Sequence, residues 1–320
     1  MTEAGDEPIA IASNASRAVA PASSLESTAA PSSTGRGIVY CVLAMAVFAT
    51  QDAMTKLLVA DYPIPQFLMI RFVVFAAFVT AWIGVRGNLK SALRASRPVL
   101  QIGRGLMLVI DIALFCTALR YLGLAEFHAI YATAPLMTTA LAAALLGEPV
   151  GWRRRLAVAI GFLGALLIIR PGFGVFQWAA LIAIAATLTW ALYIIMTRLV
   201  SLSDSFETNT LLTALVGAVC FTPFGLWYWQ PPDARGWTLM IAISLTGVLG
   251  HMVFIRAAEH APAVVLQPFI YLLLVGATIF GYLLFGELPD LLTVAGAAIV
   301  VGSGLYVAWR EWVRRKEHAG

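Results

Sequence analysis

A few charged and hydrogen-bonding side chains stand deep inside long apolar runs, where a charge costs from a few to ~10 kcal/mol unless it meets a partner or a wet cavity. Asp111 is the deepest carboxylate, about thirteen residues or ~20 Å into the run 98–120. It reads either as a site for a substrate amine or a proton, or as an ion pair or hydrogen bond locking that helix to a neighbour. Arg104, seven residues earlier on roughly the same face, suits a cation lining the same path. Asp52 and Lys56 are spaced i,i+4, so they are expected to pair with each other or to form an outer gate. Arg71, near the start of the second run, is expected to meet Asp52 across the helix pair. His251 lies near the middle of the eighth run, where a neutral packing role and proton coupling both remain open.

Uncharged groups extend the list. Tyr131, Trp190, Tyr193 and Tyr271 fall in mid-run positions where aromatic rings can stack on a planar or cationic ligand, or simply pack. Gln267 adds an uncharged donor and acceptor one residue before Pro268. Pro135 and Pro268 are expected to break their helices, releasing carbonyls toward the interior where carriers bind solutes. Glu126 with His128, and Glu259 with His260, sit at helix starts and read as caps or local pairs. Glu148 and Glu287 end their runs, where a carboxylate can bond free amides at the next helix start.

The elements that must hold these groups follow from composition. With 60% hydrophobic and 12% charged residues among 320, the chain lies far outside the soluble norm of roughly 25% charged. Apolar runs at about 36–59, 65–85, 98–120, 123–146, 153–170, 175–198, 207–229, 236–258, 262–285 and 290–310 predict ten transmembrane helices. A β-barrel would instead alternate every second residue. The expected class is therefore an all-α membrane protein, with no room for a sizeable soluble domain. Residues 1–35, rich in Ala, Ser, Pro and Thr, are expected to form a disordered tail without a signal peptide. Residues 311–320 are expected to form a basic tail.

Basic residues gather on one side: Arg17, Arg36, Arg86, Lys90, Arg94, Arg97, Arg153, Arg154, Arg155, Arg198, Arg256 and the terminal Arg310, Arg314, Arg315 and Lys316. Lys56, Arg120, Arg170 and Arg235 lie opposite, which predicts both termini in the cytoplasm. This spread reads as orientation, and nucleic acid is not an expected partner. Cys41, Cys116 and Cys220 follow no metal or redox spacing. Aspartate-rich, His-Glu-x-x-His and GxxxxGK[ST] motifs are all lacking, so neither a metal-dependent membrane enzyme nor direct ATP drive is expected, and no cofactor. Trp227, Tyr228, Trp229, Trp237, Trp309 and Trp312 lie at run ends, as interfacial belts do.

An internal repeat divides the chain. Leu146-Gly-Glu-Pro149 matches Phe285-Gly-Glu-Leu-Pro289, and Glu126 precedes Pro135 by the same nine residues that separate Glu259 from Pro268. Five runs per copy is an odd number, so the second copy enters from the opposite side, giving halves at 36–172 and 173–310 with a pathway between them. Leu119-Arg-Tyr-Leu-Gly-Leu-Ala-Glu-Phe-His128 with Ala134-Pro-Leu136, and Ile255-Arg-Ala-Ala-Glu-His-Ala-Pro262 with Gln267-Pro-Phe-Ile-Tyr271, resemble the EamA repeat of the drug/metabolite transporter superfamily. Asp52, Lys56, Tyr62-Pro-Ile-Pro-Gln66, Arg71 and the end of the ninth run look most like bacterial uptake proteins for riboflavin and S-adenosylmethionine, with amino-acid or drug exporters as the alternative. The resemblance implies a ten-span inner-membrane carrier of a small-molecule solute. Small residues at Gly161-Phe-Leu-Gly-Ala165 and Ala298-Ile-Val-Val-Gly302 allow close helix packing, within the chain or between two copies of a homodimer.

Overall fold

A computed structural model describes residues 31–147, 151–170, 178–261 and 263–319. The elements run α1 (Pro31–Asp61), α2 (Ile64–Val85), α3 (Leu89–Ala92), α4 (Pro98–Ala118), α5 (Leu124–Tyr131), α6 (Ala134–Leu146), α7 (Trp152–Ile169), α8 (Ala179–Val200), α9 (Phe206–Trp227), α10 (Ala234–His260), α11 (Ala263–Ile270), α12 (Leu272–Phe285) and α13 (Leu291–Ala319). No strand occurs among the described residues. Nine segments there are long and apolar enough to cross a membrane, α5 with α6 counting as one. The tenth helix of the bundle is α7, whose 18 residues open on Arg153, Arg154 and Arg155. The chain is thus an all-α, multi-pass membrane protein.

Local sequence sets the helix limits. Pro65 and Pro98 enter α2 and α4 in the first turn, where a missing N–H costs nothing. Gly147 and Gly286 end α6 and α12 with φ of 66° and 67°, a left-handed turn that a side chain would strain. Two expectations on limits change. Pro31–Gly35, assigned by composition to the tail, already belongs to α1, and α13 continues as a helix through the basic end. Residues 1–30 lie outside the described residues.

The fourth and ninth spans are both discontinuous, at different places relative to their prolines. α5 stops at Tyr131 and α6 restarts with Pro135 in its first turn, so the break precedes the proline. Pro268 instead lies inside α11, and the helix breaks three residues later at Tyr271. A proline in a last turn withholds one N–H and weakens the turn around it, so the interruption falls downstream of the position expected from sequence.

The two halves interlock by a pseudo-twofold rule. α1 packs on α10 as α4 packs on α8, while α2–α9 and α7–α13 straddle the axis. The α7–α13 seam is tight because Gly164 and Gly296 face each other, and a Cβ on Gly164 would lie 2.9 Å from the Gly296 carbonyl. The main core holds Phe67, Phe127, Leu124 and Met240 between the helices.

Candidate functional site

One polar stripe leads into the middle of the bundle. Along α1, Gln51, Asp52, Thr55 and Lys56 are all buried, because positions i, i+1, i+4 and i+5 share one face. Asp52 Oδ2 lies 3.1 Å from His128 Nε2 of α5, although out of line for a hydrogen bond. The expected Asp52–Lys56 pair does not form. Lys56 turns toward the end of α12 and grips both oxygens of Glu287, at 2.5 and 2.6 Å, while also donating to the Leu122 carbonyl at 3.1 Å. A carboxylate on a neighbouring helix, with a free carbonyl beside it, satisfies more of the ammonium's three donors than Asp52 alone would.

Arg71 of α2 faces Asp52 and Asp111 electrostatically, yet no carboxylate among the described residues lies within ion-pair distance of it. The expected Arg71–Asp52 contact is therefore absent. Gly247 of α10 lies beside the same guanidinium: a Cβ there would sit 3.7 Å from Arg71 Nε and 3.1 Å from Gln51 Oε1. The Gln51 carbonyl oxygen is buried and has no donor. Four residues on, the accessible ring of His251 has Nδ1 2.8 Å from the Gly247 carbonyl. Because a carbonyl only accepts, Nδ1 carries the proton and a neutral ring leaves Nε2 as an acceptor. The ring packs on Phe48 and Phe75, with centroids at 5.3 and 5.9 Å.

Asp111 completes the group from α4. It is only 4% exposed, and the Tyr131 hydroxyl lies 3.4 Å from each of its oxygens. Both contacts are long for an O–H donor, which can serve only one of the two oxygens at a time. From Tyr131 an aromatic ladder continues to Trp190 (6.2 Å) and Tyr193 (5.3 Å), with Phe127 stacked on its other end at 5.3 Å. Three of the four mid-span rings named from sequence therefore form one ladder that runs from Asp111 toward Arg104. Tyr271 does not join them, since it packs against Gly304 of α13 with its hydroxyl buried and unpartnered. The Gln267 side chain lies outside the described residues, as do Glu148 and the Trp312 side chain.

Arg104, expected to line the path, is bonded between helices in this structure. Its Nε donates to Gln101, one terminal nitrogen reaches the Tyr193 and Thr197 hydroxyls at 3.5 Å, and the other reaches the Asn209 carbonyl and Thr213 hydroxyl at 2.5 Å. All five N–H donors of the guanidinium are thereby used. Glu287 is likewise a cross-link: besides Lys56, it accepts from the Leu124 amide at 3.4 Å, so it caps α5 instead of the following helix. Glu126 does cap α5, accepting from the Gly123 amide at 3.2 Å. Sequence reasoning missed Gln51 and the partners of His128 and Glu287. The signal for Gln51 was its place in a polar stripe along an otherwise apolar span.

The two ends of the bundle are unequal. At the end where α1 finishes, Lys56–Glu287 joins the halves, Tyr62 donates to Asp233 at 2.9 Å, Gln66 and Gln230 bond twice, and Arg170 pairs with Asp290. The carboxylates at this end are shifted accordingly. The Arg170 hydrogen bond, with the Thr293 amide, holds Asp290 below the usual carboxylate range, and the Gly236 amide with the Tyr62 hydroxyl does the same for Asp233. At this end α5 packs on both α12 and α13. Its counterpart α11 packs on α13 but makes no comparable packing with α6 or α7 among the described residues. Among the described residues, the polar cross-links that join the halves thus gather at the end where α1 finishes.

The EamA-like transporter family matches residues 35–170 and again 177–309, one copy in each half. The chain is 26% identical to the S-adenosylmethionine uptake transporter of Rickettsia prowazekii over 275 residues, covering 86% of this chain and 93% of that one. It is 30% identical to the riboflavin transporter of Brucella anthropi, over 73% and 84% of the two chains. The pseudopaline exporter CntI of Pseudomonas aeruginosa is 23% identical over 83% and 93%. A solved crystal structure shares the fold, with a TM-score of 0.57 at 22% identity, covering 87% of this chain and 97% of its own.

Proposed function

Because the chain belongs to the EamA-like transporter family, we propose that it carries a small organic cation through the central constellation by alternating access, with S-adenosylmethionine the first candidate. The observation that carries this reading is the charge balance of the site. Asp52 and Asp111 are both buried, His128 stands beside Asp52, and Asp111, touched only by the Tyr131 hydroxyl at 3.4 Å among the described residues, lies at the end of an aromatic ladder. A cation with a flat ring would neutralise the spare carboxylate and stack on Trp190 and Tyr131. The unmatched oxygen of Gln51 offers an acceptor to the same solute. Uptake follows the names of the S-adenosylmethionine and riboflavin relatives, and riboflavin, a planar neutral ring, is the second candidate. Export is favoured by one observation, the similarity to the pseudopaline exporter.

The repeat in two halves, with the cross-links among the described residues gathered at one end, supports a cycle in which the halves expose one site in turn. The excess of Lys and Arg on the side of the termini supports placing both in the cytoplasm of a bacterial inner membrane. The test is uptake of labelled S-adenosylmethionine and labelled riboflavin into proteoliposomes, by the wild type and by Asp111→Asn. The expected result is saturable S-adenosylmethionine uptake that Asp111→Asn abolishes while its unfolding temperature stays near that of the wild type. Undiminished uptake by Asp111→Asn would remove Asp111 from the mechanism, and uptake of riboflavin alone would transfer the assignment to the neutral ring.

A further inference from the structure

A groove of about 430 Å³ opens between α7 and α13, on the side away from the central constellation. The two helices touch at Gly164 and Gly296, and beyond that contact they leave space between Leu156 and Ile160 on one wall and Ile299 on the other. The floor is small: a Cβ added at Gly302 would meet no atom within 4 Å. The walls are exposed and apolar, so in a bilayer they meet acyl chains rather than water. At the mouth, Trp152 is 67% exposed and the Arg153 guanidinium stands 5.7 Å from its ring. Arg153 is exposed, and no carboxylate among the described residues lies within ion-pair distance of it.

We propose that this groove binds one anionic glycerophospholipid, with an acyl chain between α7 and α13 and the phosphate on Arg153. The dimensions suit that occupant. From Trp152 to Ile160 the groove runs roughly 12 Å along α7, most of the ~15 Å depth of one leaflet's hydrocarbon. An exposed tryptophan with an unpaired arginine marks the level of the headgroups. Charge argues against a second copy as the occupant. A self-complementary twofold contact here would bring the arginine-rich starts of two α7 helices together, whereas an anionic headgroup complements them.

Native mass spectrometry of the full-length protein, released from detergent with added phosphatidylglycerol or phosphatidylcholine, tests this. The wild type is expected to retain one phosphatidylglycerol in preference to phosphatidylcholine. Arg153→Ala should weaken that retention about fivefold, the effect of one arginine at a charged surface, and Gly302→Leu should fill the groove and expel the lipid. Should Gly302→Leu not fold, quenching of Trp152 by brominated phosphatidylglycerol, read as the difference between wild type and Trp152→Phe, replaces it. Equal retention of the two lipids, phosphatidylglycerol retention unchanged in both variants, no quenching difference at Trp152, or a lipid-free dimer that Gly302→Leu dissociates would each overturn the proposal.

Discussion

Removing the Lys56 ammonium should unfasten the cross-linked end of the bundle. At about 2.6 Å and an effective dielectric of 20, the attraction to Glu287 is roughly 6 kcal/mol before desolvation. Burying Lys56 returns several kcal/mol of that, and the 38% exposure of the Glu287 side chain screens more. What remains is about 2 kcal/mol, in the range of a hydrogen bond to a charged group. If the clamp is broken in the alternative state, Lys56→Met shifts the balance between states by up to ~30-fold. The assay is the labelling rate, by an impermeant maleimide added outside, of a cysteine placed at the fully buried Thr55 in a background lacking Cys41, Cys116 and Cys220. Lys56→Met and Glu287→Gln should each accelerate labelling by about tenfold or more, and the double variant should add little, since both remove the same contact. A labelling rate unchanged in the singles, with the protein folded, would refute the clamp.

Three further outcomes follow from the geometry. Arg104→Ala takes the donor from the buried Gln101 oxygen and leaves a cavity between α4, α8 and α9, so it should cost roughly 3 kcal/mol or more and lower the folded yield; wild-type thermal stability with lost transport would place Arg104 on the pathway. Asp290, held below the usual carboxylate range by Arg170, stabilises the fold above its unfolded pKa of about 3.9 and loses that contribution as pH falls through its lower folded value. The unfolding-temperature gap between wild type and Asp290→Asn should therefore be largest near neutrality and shrink below about pH 4, and a gap constant with pH would contradict the pairing. Trp190→Ala should weaken solute binding about tenfold by removing the centre of the ladder; unchanged affinity in a calorimetric titration would place the solute elsewhere.

The spans were legible because a bilayer demands runs of a set length, and the repeat because two Glu-to-Pro spacings coincide. That Asp111, Tyr131, Trp190 and Tyr193 lie along one line of contacts was legible from their depth, since mid-span polar groups on successive helices converge on one axis. Partner choice was not legible. The i,i+4 rule describes an isolated helix, whereas Lys56 had a carboxylate 231 residues away within 2.5 Å. Arg104 illustrates the converse: a guanidinium looks the same in sequence whether its donors face a pathway or are all taken. The break at Tyr271, downstream of Pro268, shows that a proline weakens a turn without fixing the residue at which the chain bends.

The lock at Arg104 has a mechanical consequence. By tying α4 to α8 and α9, it makes those three helices a single pillar, and Asp111 and Trp190 both stand on that pillar. Asp52 and His128 belong to α1 and α5, beyond the lock's reach. The proposed site is thus divided, with one carboxylate and an aromatic face on the tied helices and the other carboxylate and an imidazole on helices that the lock does not hold. A cycle that parted these two groups of helices would loosen a guest held between them without any change within either group.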